Sequence, residues 1–328
     1  MPSNDGIMIQ KYYEGTSKII ELSTEIGRLI GVVDSNYLQK PTTKLRRDNK
    51  IKTIYSSLAI EGNTLSLDQV SDMIDNKRVA GPPKDIIEVK NAIGVYNQLL
   101  DFDPFEEKSY LHAHQMLMQG LIEGAGQYRT KSVGIFKGSA VAHMAPPAWN
   151  VDHLMKNLFS YLKNETDTLI IKSCVFHYEM EFIHPFMDGN GRMGRLWQTL
   201  LLMKYNPVFQ YLPIEAQIKA SQQEYYDALG RSDTAGIATA FVEYMLERIY
   251  QSLEELIESQ RRHLTNTERI EHFIEFSGKG SFTRKDYMAV FKDISTATAT
   301  RDLKYGTENG YFKKTGKDRT SEYQIIKK

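Results

Sequence analysis

The stretch that most restricts the fold of this chain is a charged, glycine-rich loop set between two segments that are apolar on more than one side. SCVFHYEMEFI precedes it and LWQTLLLMKY follows it. Helices that are apolar all round are buried, so both segments are expected to be core helices. The loop between them, His184 to Arg195, reads HPFMDGNGRMGR. Pro185 disfavours α geometry at His184 and ends the first helix there. Gly189 and Gly191 permit close backbone approach and unusual dihedrals. The second helix is expected to begin at Asn190 or Gly191. The prediction is helix, loop, helix, with the loop pinned at both ends.

Such a loop has a definite chemistry. The first turn of the second helix presents free N–H groups and a positive dipole end, which suits phosphates. Arg192 and Arg195, three apart, point to roughly one side of that turn. Two guanidiniums match a di- or triphosphate better than a lone carboxylate. Asp188 is a hard oxygen ligand for Mg²⁺, and His184 is a candidate general base. No G-x-x-x-x-G-K-[ST] occurs, and neither do the H-R-D and D-F-G elements of protein kinases. On charge spacing alone, a glycine-rich turn with a solvated arginine pair explains the window equally well.

The ordered pattern H-P-F-x-D/E-G-N-G-R-x-x-R is matched at every fixed position, and the chain resembles the Fic (filamentation induced by cAMP) family. The resemblance implies a protein adenylyltransferase, a nucleotidyltransferase that moves AMP from ATP to a Ser, Thr or Tyr hydroxyl of a target protein and releases pyrophosphate. Carried onto this sequence, it gives His184 as the base and Asp188 as the Mg²⁺ ligand. It places Asn190 and the backbone around Gly189 and Gly191 at the α- and β-phosphates, Arg192 in support, and Arg195 on the γ-phosphate. A relative with Lys in place of the second motif glycine is a kinase, so Gly191 favours AMP transfer. Upstream, Ser57-Leu58-Ala59-Ile60-Glu61-Gly62 resembles the family's inhibitory motif S/T-x-x-x-E-G/N, which implies that Glu61 pairs with Arg195 and restrains the enzyme. By spacing alone Glu61 is an exposed helix-end glutamate.

Other resemblances are local. Tyr225 and Tyr226 stand where relatives place adenine-contacting tyrosines; aromatic core packing is the equal alternative. Arg231-Ser232-Asp233 replaces an asparagine of some relatives. Ser132–Phe136 and Ala140–Met144 are expected as two strands around Lys137-Gly138-Ser139, matching the family's flap, whose edge can pair with an extended target segment. Gly126-Gln127-Tyr128-Arg129 resembles the G-x-x-R entry to that hairpin, with Arg129 structural rather than catalytic. His177 and His184 do not make a zinc site, because no third ligand lies at helical spacing. His112 and His114 are read as surface or core histidines.

The whole chain sets wider bounds. It has 328 residues, 41 basic and 41 acidic, so no polyanionic partner is implied globally. One cysteine, Cys174, excludes an internal disulfide framework and fits a reducing compartment. The N-terminal MPSNDGIMIQKYYEG lacks the basic start and apolar core of a signal peptide, and no apolar run is long enough to span a membrane; a cytoplasmic location is expected. The fold class that the resemblance implies is mainly α: a Fic-type helical bundle with a β-hairpin flap and a C-terminal winged helix-turn-helix.

Helices are expected at 17–33, 43–60, 67–74 behind a Ser66/Gln69 capping box, 86–100, 106–121, across QIKASQQEYYDAL, and at 235–260. Three parts are expected: residues 1–100 with the inhibitory motif, 101–250 as the catalytic domain, and 251–328 as connector helix and winged helix. From Arg262 onward fourteen basic residues face nine acidic ones. Helices there are expected at 265–276, 283–291 and 295–307, then a YFKKT/SEYQI hairpin. That resembles a winged helix of a kind several Fic proteins carry, with Lys313, Lys314, Lys317 and Arg319 on the wing for DNA phosphates. The partners implied are a hydroxyl-bearing protein, and DNA for this module; self-modification and a homo-oligomer stay open. The rival reading is a nucleotide-sensing DNA-binding regulator with little turnover.

Overall fold

In a computed structural model the chain is described at residues 11–35, 43–137, 140–261, 265–291, 294–316 and 321–326. Helices begin where local chemistry satisfies their free amides. Helices α1 (Ser17–Ser35) and α2 (Thr43–Ile60) lead into α3 (Leu67–Ile74). Ser66 caps α3 through its hydroxyl while the Gln69 side chain returns a bond to the Ser66 amide, the reciprocal box expected from sequence. Pro83 opens α4 (Pro83–Asn97), where its missing N–H costs nothing. A 3₁₀ turn at Leu99–Asp101 and helix α5 (Glu107–Met118) follow. The flap strands β1 (Gly134–Lys137) and β2 (Ala140–Met144) then pair antiparallel, with a register shift between Ile135 and Phe136. The first strand starts two residues later than expected, and the tip at 138–139 lies outside the described residues.

Helix α6 (Val151–Asn164), to which the sequence reading assigned nothing, buries Val151, Met155, Leu158, Phe159 and Leu162 at helical spacing. Next come α7 (Leu169–Ile183) and α8 (Asn190–Tyr205), the two apolar segments around the loop, packed against each other. Burial runs round α7 on all sides, from Ile170 through Tyr178 without a gap. Beyond a 3₁₀ turn at Pro207–Tyr211, the expected single helix is two, α9 (Ile214–Ala220) and α10 (Gln222–Ala235), interrupted at Ser221. Helix α11 (Thr239–Arg261) follows.

The remaining elements are α12 (Asn266–Phe276), β3 (Ser281–Thr283), α13 (Arg284–Val290), α14 (Thr296–Glu308), β4 (Phe312–Thr315) and β5 (Glu322–Ile325). Capping boxes start α12 (Thr265 with Glu268) and α13 (Thr283 with Asp286). The strands form an antiparallel sheet in the order β3-β5-β4, and β3 was not expected from sequence. Lys317 and Arg319, expected on a wing, lie outside the described residues.

The chain divides into two compact units. One comprises residues 1–30 and 47–253, the other 31–46 and 254–328. The second has its own core of Ile270, Phe273, Phe282, Tyr287, Phe291 and their neighbours. Inside it Arg269 grips the buried Asp302 at 2.6 and 2.8 Å. The first unit holds the loop.

Candidate active site

Helix α7 ends at His184, whose backbone is left-handed at φ 50° and ψ 61°. A non-glycine residue there is strained unless its surroundings hold it, and such strain gathers at functional sites. Arg129 does much of the holding. Its Nε donates to the His184 carbonyl at 2.8 Å and its Nη2 to the Ile183 carbonyl at 3.2 Å. Its own backbone N–H donates to the Pro185 carbonyl at 2.8 Å. The same guanidinium donates to the Lys131 and Pro146 carbonyls at 2.9 and 2.5 Å, one on each side of the flap. Burial lowers the Arg129 pKa. Thus one buried cation joins the flap base to the strained histidine and satisfies carbonyls at a helix C-terminus.

The loop after His184 is stitched by side chains. Asn190 accepts from the Phe186 N–H and donates to the Phe186 carbonyl, both at 2.9 Å. Its amide therefore shapes the loop, leaving any phosphate contact at this position to the backbone. Phe186 is buried, stacked on His114 with ring centroids 3.5 Å apart. His114 Nδ1 accepts from Gly126 N–H at 2.8 Å, so the proton is assigned to Nε2, which reaches the Asp188 carbonyl at 3.0 Å. Burial pushes the His114 pKa down to about 4, which keeps it neutral in this role. Gly189 has φ 88°, and a Cβ there would strike Met118 Sδ at 2.7 Å. This position therefore requires glycine twice over.

The charged side chains are brought together but are not all aimed alike. Arg192 Nη2 donates to Asp188 Oδ1 at 2.8 Å, and its Nη1 to Glu88 on α4 at 3.0 Å. Arg195, 2% exposed, turns towards α2. Its Nη2 donates to Glu61 Oε1 at 2.7 Å and to the Ser57 carbonyl at 2.9 Å, and its Nε to Ser57 Oγ at 3.1 Å. Burial alone would depress the Arg195 pKa; Glu61 chiefly, with Tyr225 and Glu181, more than offsets it, so the net shift is upward. The Glu61 carboxylate also lies against Gly191, so closely that a Cβ there would collide with it. A carboxylate thus sits at the first turn of α8, on the second motif arginine.

Of the tyrosine pair, Tyr225 is in the core, with its hydroxyl near His177 Nε2 at 3.1 Å and Glu181 at 3.4 Å. Tyr226 is 39% exposed, and Gln222 links its hydroxyl to the Ile60 carbonyl beside Glu61. Among the described residues no three His, Cys, Asp or Glu side chains gather as a metal cluster. His177 instead bonds to Gln198 and Tyr225, and burial drives its pKa down to about 3. Asp188 fits a different kind of metal site. Its side chain is about half exposed, and Oδ1 is engaged by Arg192 and by the Gly189 amide at 2.6 Å. One carboxylate with substrate oxygens is a usual way to hold Mg²⁺.

Comparison with known proteins gives this geometry its relatives. The profile of the Fic/DOC family matches residues 104–202. A crystal structure of a Fic family protein from Desulfovibrio desulfuricans G20 is 40% identical, with a TM-score of 0.75, over 97% of this chain and 99% of that one. The chain belongs to the Fic family. The Fic fold recurs at 21% identity and TM-score 0.60 in Fic-1 from Caenorhabditis elegans. Among curated relatives, protein adenylyltransferase fic-1 of that organism is 27% identical over 287 residues, 78% of this chain and 53% of the relative. Protein adenylyltransferase Fic of Aedes aegypti is 29% identical over 239 residues, 69% of this chain and 45% of the relative. The chain spans about half the length of the curated relatives it matches. Its Fic loop, α7, most of α8 and the flap all fall inside the matched span.

Of the residues the sequence singled out, Ser57 and Glu61 meet Arg195 beside Gly191, and Asp188 meets Arg192 and the Gly189 amide, while His184 and Asn190 lie in the same loop. The sequence read His114 only as a surface or core histidine and gave Glu88 no role, because their partners lie 74 and 104 residues away and leave no local signature.

Proposed function

We propose that this chain is a protein adenylyltransferase, transferring AMP from ATP to a hydroxyl side chain of a target protein, and that Glu61 restrains it. The observation that carries the reading is the Glu61–Arg195 pair at 2.7 Å beside Gly191. A carboxylate occupies a fork and helix terminus suited to phosphate, within a loop that also bears a strained histidine. Relatives named protein adenylyltransferase support the activity.

In this reading the first-turn amides of α8 bind the phosphate chain. Arg192, oriented by Glu88 and Asp188, adds positive charge beside it. His184 takes the proton from the target hydroxyl; the hydroxyl oxygen bonds to the α-phosphorus, the bond from that phosphorus to the bridging oxygen breaks, and pyrophosphate leaves. Such transfer depends on positioning and charge stabilisation. Mg²⁺, when bound, would neutralise phosphate charge, with Asp188 as its protein ligand. Tyr226 is the better placed of the tyrosines for a base contact, with Tyr225 packed behind it. The flap edge holds an extended target segment. Glu61, by taking Arg195, denies the γ-phosphate its fork and leaves the α-phosphate turned away from in-line attack.

A second activity has its own observation. In the second unit α14 exposes Thr300, Arg301 and Lys304, with Arg284 donating to Thr300, and β4 exposes Lys313 and Lys314. We read this unit as a winged helix that takes DNA, with α14 as the groove element.

The catalytic reading is tested with α-phosphate-labelled ATP, Mg²⁺ and a protein mixture, in the Glu61→Gly background. His184→Ala in that background should lower label incorporation by about 10² to 10⁴ while ATP binding persists. Undiminished incorporation would remove His184 from the mechanism.

A further inference from the structure

We propose that a cavity between α3 and α4 is a binding site for an aliphatic anion, and that its occupancy is relayed to Glu61. The relay rests on Glu61 acting as the restraint; the binding does not. The cavity has a volume of about 590 Å³, within the range of small-molecule sites. Its apolar lining is Met73, Val79, Ile86 and Ile93, all partly buried and none aromatic. That lining suits an alkyl chain and offers no ring for stacking a nucleobase.

The charge around it has one sign. Lys77, Arg78 and Lys90 line the cavity and no acidic residue does. Lys77 is already engaged by Asp72 at 2.8 Å. Arg78 and Lys90 are exposed and have neither a hydrogen bond nor an ion pair among the described residues. Two uncommitted cations beside an aliphatic hollow fit a ligand with an apolar chain and a carboxylate or phosphate head.

The relay follows from the two faces of α4. Ile86, Lys90 and Ile93 share its outer face at helical spacing. Its inner face carries Asp85 and Glu88, both buried. Asp85 accepts from the Thr64 amide at 2.8 Å and from its hydroxyl at 2.5 Å. Glu88 accepts from Asn63 at 2.8 Å through Oε2 and from Arg192 at 3.0 Å through Oε1. The residues directly after Glu61 are therefore pinned to the helix that forms the cavity wall. On the α3 side, Gln69 donates to the Ala80 carbonyl at 2.8 Å, tying α3 to the segment that enters α4. A chain wedged between α3 and α4 acts on both ends of this connection, and so on the segment that places Glu61.

The test uses the full chain and isothermal titration calorimetry with decanoate, decyl phosphate, decanol and acetate. Decanoate or decyl phosphate should bind saturably, the tighter of the two naming the head group, with decanol and acetate at least about tenfold weaker, the loss of one charge-assisted contact or of the chain. Arg78→Glu with Lys90→Glu, both at exposed positions, should weaken binding by about tenfold or more. Val79→Trp should block it independently by filling the hollow. Equal binding of decanol, or undiminished binding by both variants, would overturn the site. Amide hydrogen exchange over residues 61–65 should change on saturation in the wild type and stay unchanged in the double variant. Exchange that ignores a saturating ligand overturns the relay. This readout needs no AMP transfer, so its outcome is separate from that of the catalytic reading.

Discussion

His184 and Glu61 show how differently single residues can be legible. The histidine was singled out by its place before Pro185 and beside a phosphate-suited helix start. Its left-handed backbone was not, because it depends on Arg129, 55 residues upstream. Glu61 was readable only through the resemblance, since Ser-x-x-x-Glu is a common spacing. Asp188 belongs to this scale too. Its half-exposed carboxylate leads us to expect that Asp188→Ala weakens ATP binding with Mg²⁺ more than without it. Calorimetric titration under both conditions checks this; an unchanged Mg²⁺ effect would place the metal on other groups. Glu215 offers a stability test. It is 1% exposed, and burial raises its pKa from 4.5 to about 7. A carboxyl with a raised folded pKa stabilises the fold fully below its unfolded value and loses that contribution as pH rises through the folded one. The wild type should therefore lose Tm relative to Glu215→Gln as pH rises from about 4.5 past 7. Parallel Tm profiles for the two proteins would show that Glu215 titrates normally.

At the scale of elements, two N-terminal helices were placed within the bounds expected. Helix α2 runs over Thr43–Ile60, between Pro41 and Glu61-Gly62, and α3 over Leu67–Ile74, behind its Ser66/Gln69 box. The split between α9 and α10 was hidden because both halves are good helix formers and Ser221 alone is no breaker. Strand β3 is three residues long and pairs with β5 some forty residues on, so it has no alternation to read. Helix α6 carried a clear period and needed no tertiary contact to be found. The C-terminal elements yield a prediction of their own. If α14 and the β4 lysines meet DNA phosphates, affinity of the full chain for duplex DNA should fall steeply with salt. Lys313→Glu with Lys314→Glu should weaken binding and reduce the salt slope by about two charges' worth. Fluorescence anisotropy at several salt concentrations measures both. An absence of binding at low salt would return this unit to a protein-interaction role.

At the scale of the molecule, the first unit brings a helix near the N-terminus onto a motif 134 residues further along the chain. The connection is made through the two buried guanidiniums of Arg192 and Arg195. Ser57 and Glu61 hold Arg195 from α2, while Asn63 and Glu88 extend the same contact to Arg192. Both motif arginines are thus tied to the region that precedes the Fic loop, and restraint by that region is the central claim. It is tested most directly by measuring label transfer from α-phosphate-labelled ATP, into the chain itself and into added protein, for wild type, Glu61→Gly, and Glu61→Gly with Arg195→Ala side by side. Misplacement of a reacting phosphate costs on the order of 10²-fold in rate. Glu61→Gly should therefore raise transfer by at least about tenfold, and the added Arg195→Ala should abolish the gain, because the freed guanidinium is what acts. Equal transfer by wild type and Glu61→Gly would contradict the account.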